Sequence, residues 1–146
     1  MLVIRASFLL LFLLIFISCS KNDIKDSTIK EKSLDLQVLE AYNVGKDALE
    51  GGDVLYAAKK FNEAETLFPQ SDLAPKSALM AAYAYYSQDY YYDAIAELQR
   101  FLKVYPKYKD TAYVHYLMGI CYFEQIVDEK KDLQSIKEAK KNLFLF

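Results

Sequence analysis

A chain of 146 residues, 53% hydrophobic and 26% charged, is long enough for one domain with a packed core. Its net charge of −2, with no basic cluster, excludes a surface built to neutralise nucleic-acid phosphates. With Cys19 and Cys121 as its two cysteines, it has no disulfide framework, and stability has to come from packing.

Residues 1–18 read as an export signal: Arg5 is the positive end, Phe8 to Ile17 is an unbroken apolar run, and the small Ser18 precedes Cys19. A span needs about 20 apolar residues, so the run is too short to cross a bilayer. The competing reading, an uncleaved anchor that starts earlier and tolerates Arg5, fits poorly with the polar stretch that begins at Ser20. Phe16-Ile17-Ser18-Cys19 resembles the bacterial lipobox, with Phe16 where an aliphatic residue is usual. The resemblance implies lipid on Cys19 and, because Ser20 rather than Asp follows it, an outer-membrane address on the periplasmic face. The alternative is an ordinary signal with an incidental cysteine. Two or three acyl chains, at about 0.8 kcal/mol per buried methylene, would anchor the protein stably. Cleavage removes one basic residue, Arg5, leaving a net charge of about −3, and lipidation leaves Cys121 without a disulfide partner.

Residues 19–34 combine this cysteine with a tether: SKNDIKDSTIKEKS, at 20–33, is too polar to fold alone. From residue 35 glycine and proline are sparse and apolar residues recur at helical spacing, as in Leu79, Ala82, Tyr83 and Tyr86. The expected class is all-α. A period of 37 relates Gly45 to Ala82, Ala48 to Tyr85, Ala57 to Ala94, Phe61 to Leu98, Ala64 to Phe101 and Pro69 to Pro106. A further step gives Gly119 and Tyr122. This is the tetratricopeptide (TPR) pattern, with small residues where two helices approach closely, large ones between, and proline closing the second helix. It predicts a TPR helix-turn-helix solenoid over 35–146, with two complete repeats (about 35–70 and 72–107) and an incomplete third (109–146).

Turns are expected at Gly51-Gly52-Asp53 and Ser87-Gln88-Asp89, and Ser71 or Asp72 is positioned to cap the helix that carries Pro75 in its first turn. The third pair is irregular. Ala139 and Leu143 reproduce the Ala94 and Leu98 spacing only after eight extra residues, assigned to a solvated loop within Ile126 to Ile136. The sequence ends on Leu143-Phe144-Leu145-Phe146, inside a second helix, with neither closing proline nor polar capping helix, and the expectation is that more protein follows.

In a TPR stack the first helices line the concave face, at positions that here carry Tyr42, Lys46, Leu49, Leu79, Tyr83, Tyr86, Tyr113, Tyr116, Ile120 and Phe123. With 13 Tyr and no Trp, this groove suits capture of an extended, aromatic-ended peptide. The plainer reading is inter-repeat packing, above all for Tyr85 and Tyr122. Asn43, Lys46 and Lys76 alone make a poor clamp for acidic tails. His115 is read as a helix-packing residue without metal companions, and Cys121 as a small core hydrophobe. No catalytic triad, phosphate loop, metal spacing or cofactor motif is present, so the chain is expected to be no enzyme.

The lipobox, the tether, the long period, the inserted loop and the stretches AAKKFNEAETLFPQSDLAPKSALMAAYAYY, YYDAIAELQRFLKVYP and YVHYLMGICYFEQI together resemble the BamD family of outer-membrane-assembly lipoproteins. The resemblance covers nearly the whole chain. It implies five repeats, a place in the complex that folds and inserts β-barrel proteins, contact of the early repeats with unfolded outer-membrane proteins, and docking to a BamA-like barrel subunit and other assembly lipoproteins. A different TPR lipoprotein, such as a secretin pilot or a cell-envelope scaffold, is the competing reading.

Overall fold

The computed structural model describes residues 33–128, 130 and 132–146. The export signal, Cys19 and the tether through residue 32 lie outside the described residues. Among those described, six helices follow one another: α1 (Leu34–Glu50), α2 (Val54–Leu67), α3 (Leu73–Tyr86), α4 (Tyr91–Val104), α5 (Thr111–Glu124) and α6 (Leu133–Leu145). Each packs chiefly on its neighbours in the chain, which gives the succession of helix pairs that TPR-like repeats produce.

The turns explain where the helices stop. After α1 the chain reverses through Gly52 at φ +81, and Asp53 opens α2 by accepting a hydrogen bond from the Tyr56 backbone N–H at 3.1 Å. One period later Asp89 takes φ 63 in the equivalent turn, and its carboxylate accepts the Tyr91 hydroxyl at 2.7 Å. The expected side-chain cap on α3 is not formed. Asp72 already has helical backbone angles, so its carboxylate is not positioned to fold back on the first turn, and the Ser71 hydroxyl is buried without a hydrogen-bond partner. Backbone bonds from Ser71 N–H to Phe68 O and from Ala74 N–H to Ser71 O hold this entry instead.

Close approach within each pair falls where the period puts the small residues. A Cβ added to Gly45 would lie 2.9 Å from the Phe61 ring, and one added to Gly119 would lie 2.8 Å from Leu143 Cγ. Between them in the chain, Ala82 and Leu98 are both fully buried in one cluster. Gly119 meeting Leu143 supports the eight-residue offset of the third pair. The inserted loop is shorter than expected, because residues 133–136 already belong to α6. Asp132 organises it by accepting the Val127 and Asp128 backbone N–H groups at 2.9 and 2.8 Å, bonds that hold its carboxyl below the usual range.

Two cores result. The first joins Val38, Tyr42, Phe61 and Ala64 of the first pair to Ala81 and Ala84 of α3. The second joins Ala82, Ala94, Leu98 and Phe101 of the second pair to Val114, Leu117, Met118 and Cys121 of α5. Each odd-numbered helix after α1 therefore completes the core of the pair before it.

A polar clasp also joins the second helices of the first two pairs. Arg100 of α4 grips the buried Glu65 of α2 with two nitrogens, at 2.9 and 2.6 Å, while its Nε donates to Glu97 at 2.8 Å. The Tyr105 hydroxyl donates to Glu65 at 2.8 Å, and Asn62 donates to Glu97 at 3.2 Å. The Glu65 carboxylate raises the Arg100 pKa, and burial, then the bond to Glu65, raises that of Tyr105. This fork-to-carboxylate geometry fixes relative orientation more sharply than apolar contact alone.

Candidate functional site: an aromatic cleft between α3 and α5

The first helices of the second and third pairs do not close against each other along their whole length. Between them runs a cleft of about 520 Å³ lined by Lys76, Leu79, Met80 and Tyr83 of α3, by Tyr113 of α5, and by Tyr108, Lys109 and Asp110 of the preceding turn. Tyr83 and Tyr113 are 37% and 39% exposed, enough to offer a ring face. Successive rings extend the surface: Tyr83 to Tyr86 at 6.1 Å between centroids, Tyr86 to Tyr91 at 6.3 Å, Tyr113 to Tyr116 at 6.3 Å and Tyr116 to Phe146 at 5.1 Å. These distances suit tilted aromatic packing, which holds the rings in place before any ligand arrives.

The helical periodicity of α3 builds one wall. Leu79, Tyr83 and Tyr86 follow the i, i+4, i+7 stripe, while Ala78 and Ala82 on the adjacent stripe are buried in the second core. Burial raises the Tyr86 and Tyr113 pKa values, so both phenols stay neutral hydroxyls at neutral pH. The Tyr91 phenol is pushed up to about 12, mainly by its hydrogen bond to the Asp89 carboxylate. The cleft thus combines flat apolar area and hydroxyl donors with the charged side chains of Lys76, Lys109 and Asp110. Nothing in it provides a nucleophile paired with a base. Among the described residues, no group of three or more His, Cys, Asp or Glu side chains is placed to hold a metal ion.

The residues expected in one groove are dispersed by the fold. Leu79, Tyr83 and Tyr113 line this cleft, and Tyr86 and Tyr116 flank it through ring contacts. Ile120 is half-buried on α5. Phe123 is 58% exposed but belongs to a separate cleft between α5 and α6. Tyr42 is corrected: only 7% exposed, it packs edge-on against Phe61 at 5.4 Å and is overlaid by the Lys76 ammonium at 5.3 Å. Buried against Phe61, it belongs to the first core. Leu49 also packs against that core, and Lys46 is exposed. Cys19 lies outside the described residues. His115 joins α5 to α6 through a 3.0 Å hydrogen bond to Asn142, and Cys121 is fully buried, its thiol pushed up to about 12 by burial.

Sequence reasoning missed Tyr108, Lys109 and Asp110, because a turn between repeats carries no helical periodicity to show which way it faces. It also missed the Glu65–Arg100 clasp. The available signal was a spacing of 35, shared by Glu65 with Arg100 and by Asn62 with Glu97, which cuts across the repeat period of 37.

Taken together, an all-helical stack of pairs, joined through shared cores and presenting an aromatic cleft, defines a TPR-like helical scaffold. The chain belongs to the YfiO family, described as outer membrane lipoprotein, whose pattern matches residues 34–145. It is 39% identical over 98 residues to the outer membrane protein assembly factor BamD of Caulobacter vibrioides, covering 67% of this chain and 32% of that one. It is 33% identical over 101 residues to the protein of the same name from Neisseria gonorrhoeae, covering 69% and 37% of the two chains. To the Rickettsia prowazekii protein of that name it is 30% identical over 91 residues, covering 62% and 36%. The chain spans about a third of the length of the curated relatives it matches.

Proposed function

We propose that this chain is the substrate-facing part of an outer-membrane protein assembly factor, a TPR solenoid of two complete repeats (about 35–70 and 72–107) and a partial third (109–146). In this reading residues 1–18 direct export, and Cys19 carries the lipid that holds the protein on the periplasmic face of the outer membrane. Residues 20–34 tether the helical domain to it. The scaffold catalyses nothing and needs no cofactor. It binds extended segments of unfolded outer-membrane proteins along Leu79, Tyr83, Tyr86, Tyr113, Tyr116 and Ile120. Partner subunits, including a BamA-like barrel protein and other assembly lipoproteins, complete the machine.

The observation that carries this reading is the family match over 34–145, with relatives named as assembly factors. The cleft supports it independently. Neutral tyrosines supply contact area at low entropic cost, which suits aromatic-rich strands before they pair. The test is co-purification of the C-terminally tagged lipoprotein from detergent-solubilised membranes. Recovery of a barrel protein carrying periplasmic repeat domains is the expected result. Recovery of a secretin or of cell-wall enzymes without it would overturn the assembly reading and leave another TPR lipoprotein.

A further inference from the structure

The small net charge of the chain conceals a difference between the two edges of the stack. Short turns make neighbouring helices antiparallel, so the starts of α1, α3 and α5 and the ends of α2 and α4 share one edge. Asp35, at the start of α1, accordingly borders the same hollow as Gln70 to Leu73, and Lys76 of α3 the same cleft as Tyr108 to Asp110. On this edge the connection from α4 to α5 reads Lys103-Val104-Tyr105-Pro106-Lys107-Tyr108-Lys109. Tyr105 and Tyr108 pack inward, their rings 5.2 and 5.8 Å from that of Phe101, and the Tyr108 backbone N–H donates to Tyr105 O at 3.1 Å. Anchored in this way, the turn leaves Lys103, Lys107 and Lys109 in solvent beside Val104, which is 53% exposed. Among the described residues, none of the three lysines is in an ion pair, and Asp110, the carboxylate of the turn, is half-buried.

The repeat itself does not require these charges. One period earlier the equivalent positions hold Thr66, Gln70 and Asp72. A cation in the last turn of α4 complements the helix dipole, which accounts for Lys103 but not for Lys107 or Lys109, beyond the helix. The opposite edge has the contrary sign: Asp47, Glu50, Asp53, Asp89 and Asp93 are exposed there, against Lys46 and Lys59. Three ammonium groups spread along an edge are too few to follow a nucleic-acid backbone, but they suit a plane of anionic headgroups with an apolar layer beneath it. The course of the chain favours the same occupant. Residues 20–33 separate Cys19 from Leu34, a length that reaches at most about 50 Å, and they enter the domain at the start of α1, on the basic edge.

We propose that the α4–α5 turn rests on the anionic phospholipid headgroups of the membrane that holds Cys19. Lys103, Lys107 and Lys109 meet the phosphates, Val104 reaches the apolar boundary below them, and the acidic edge faces away. The proposal rests on the reading of Cys19 as the lipid-bearing residue. A lipid and a basic edge together give two attachments, which fix the orientation of the stack as one flexible tether does not.

The chain has no Trp, so V104W and Y92W each place a single fluorophore in the full-length lipoprotein, one on each edge. Each variant is reconstituted with vesicles of brominated phosphatidylcholine, alone or with about one-third phosphatidylglycerol. V104W is expected to shift to the blue and lose at least about half its emission in the anionic vesicles only, while Y92W stays unquenched in both. Lys103→Gln with Lys107→Gln should abolish that quenching with unchanged circular dichroism; Lys109 is kept because it also lines the aromatic cleft. Salt at about 0.5 M, which shortens the screening length to roughly 4 Å, should do the same. Flotation with the neutral vesicles reads the Cys19 anchor separately. Protein that floats while V104W stays unquenched on anionic vesicles overturns the proposal and leaves the anchor standing; protein that does not float on neutral vesicles removes both. Equal quenching of the two reporters, or quenching that survives the lysine changes, counts against it as well. A V104W shift with soluble polyglutamate but not with anionic vesicles would make an acidic polypeptide the occupant instead.

Discussion

Gly45 is where the packing logic of the repeat is most exposed to test. Alanine there puts a methyl group 2.9 Å from two carbons of the Phe61 ring, where ordinary contact begins near 3.4 Å. The ring therefore has to retreat by about half an ångström. It has little room, because Phe61 is fully buried and stands edge-on to Tyr42. Overpacking of this kind costs about 1–3 kcal/mol, while replacing glycine by alanine inside a helix returns about 1 kcal/mol. Gly45→Ala is thus expected to destabilise by roughly 0–2 kcal/mol, against a gain of about 1 kcal/mol if helix propensity alone mattered. Phe61→Leu alone is expected to cost about 1–2 kcal/mol through lost volume. The double variant rebuilds the Ala82–Leu98 pair of the next repeat, and should be more stable than the sum of the single changes by about 1–2 kcal/mol. Urea unfolding followed by far-UV circular dichroism measures all four corners of the cycle. Gly119→Ala is the internal comparison: its methyl would lie 2.8 Å from Leu143 Cγ and 3.3 Å from the Leu143 backbone nitrogen, so it too should destabilise, by roughly 0–2 kcal/mol. Additive single changes, with Gly45→Ala stabilising, would refute the argument that the 37-residue period encodes close helix approach.

Arg100→Met leaves the buried Glu65 carboxylate with the Tyr105 hydroxyl but no cation, and is expected to destabilise by about 2 kcal/mol, discounted because Arg100 is partly solvent-exposed. Adding Glu65→Met should restore most of that loss in the same urea assay. Asp89→Ala keeps the Cβ at φ 63 and loses the Tyr91 bond, so it should cost about 0.5–1.5 kcal/mol, whereas Asp89→Gly, which copies Gly52 one period earlier, offsets the same loss by relieving the left-handed strain and should melt near the parent temperature. In both variants ultraviolet titration should show the Tyr91 phenol falling from about 12 toward its ordinary 10 as the Asp89 bond is lost. The Cys121 thiol is raised from 9.0 to about 12, so the fold favours its neutral form; that contribution is complete below pH 9 and fades as the pH climbs toward 12. Cys121→Ala should flatten this alkaline decline relative to the parent, and the native thiol should resist alkylation at neutral pH until the protein unfolds.

Much of the fold was legible because close packing leaves a mark on residue size. Gly45 sits against Phe61 as the period assigns, Ala82 and Leu98 share one core, and Gly119 sits against Leu143 where the Ala139–Leu143 pattern resumes after the inserted loop. The cap on α3 was misread because sequence shows that Asp72 has a capping side chain but not that its backbone is already helical. Tyr42 was misassigned for a related reason. A tyrosine on a first helix has the same local spacing whether it faces a groove or the core, and what decides is the Phe61 ring of the next helix, against which Tyr42 stands edge-on. The turn residues Tyr108 and Lys109 and the clasp around Glu65 depend on how separate helices approach one another, which helical periodicity within either helix does not record.

The sharing of helices between cores bears on how the aromatic cleft keeps its shape. α3 gives Ala81 and Ala84 to the first core and Ala78 and Ala82 to the second, while Tyr85 packs against both. A pair cannot open without exposing part of its neighbour's core, so the first two pairs and α5 should unfold together rather than as independent repeats. The clasp from Arg100 to Glu65 ties the same two pairs on a different side, between α2 and α4, where it resists rotation of one pair against the other. One wall of the cleft stands on α3 and the other on α5, so its width follows from the angle between the second and third pairs. That angle is set by Val114, Leu117, Met118 and Cys121, all buried against the second core. The tyrosines can therefore be half-exposed and still held in place, because the residues that fix their backbone lie one helical stripe away in a packed interior. For the proposed binding of an extended chain, such an arrangement would lower the ordering cost without requiring that the scaffold itself change shape.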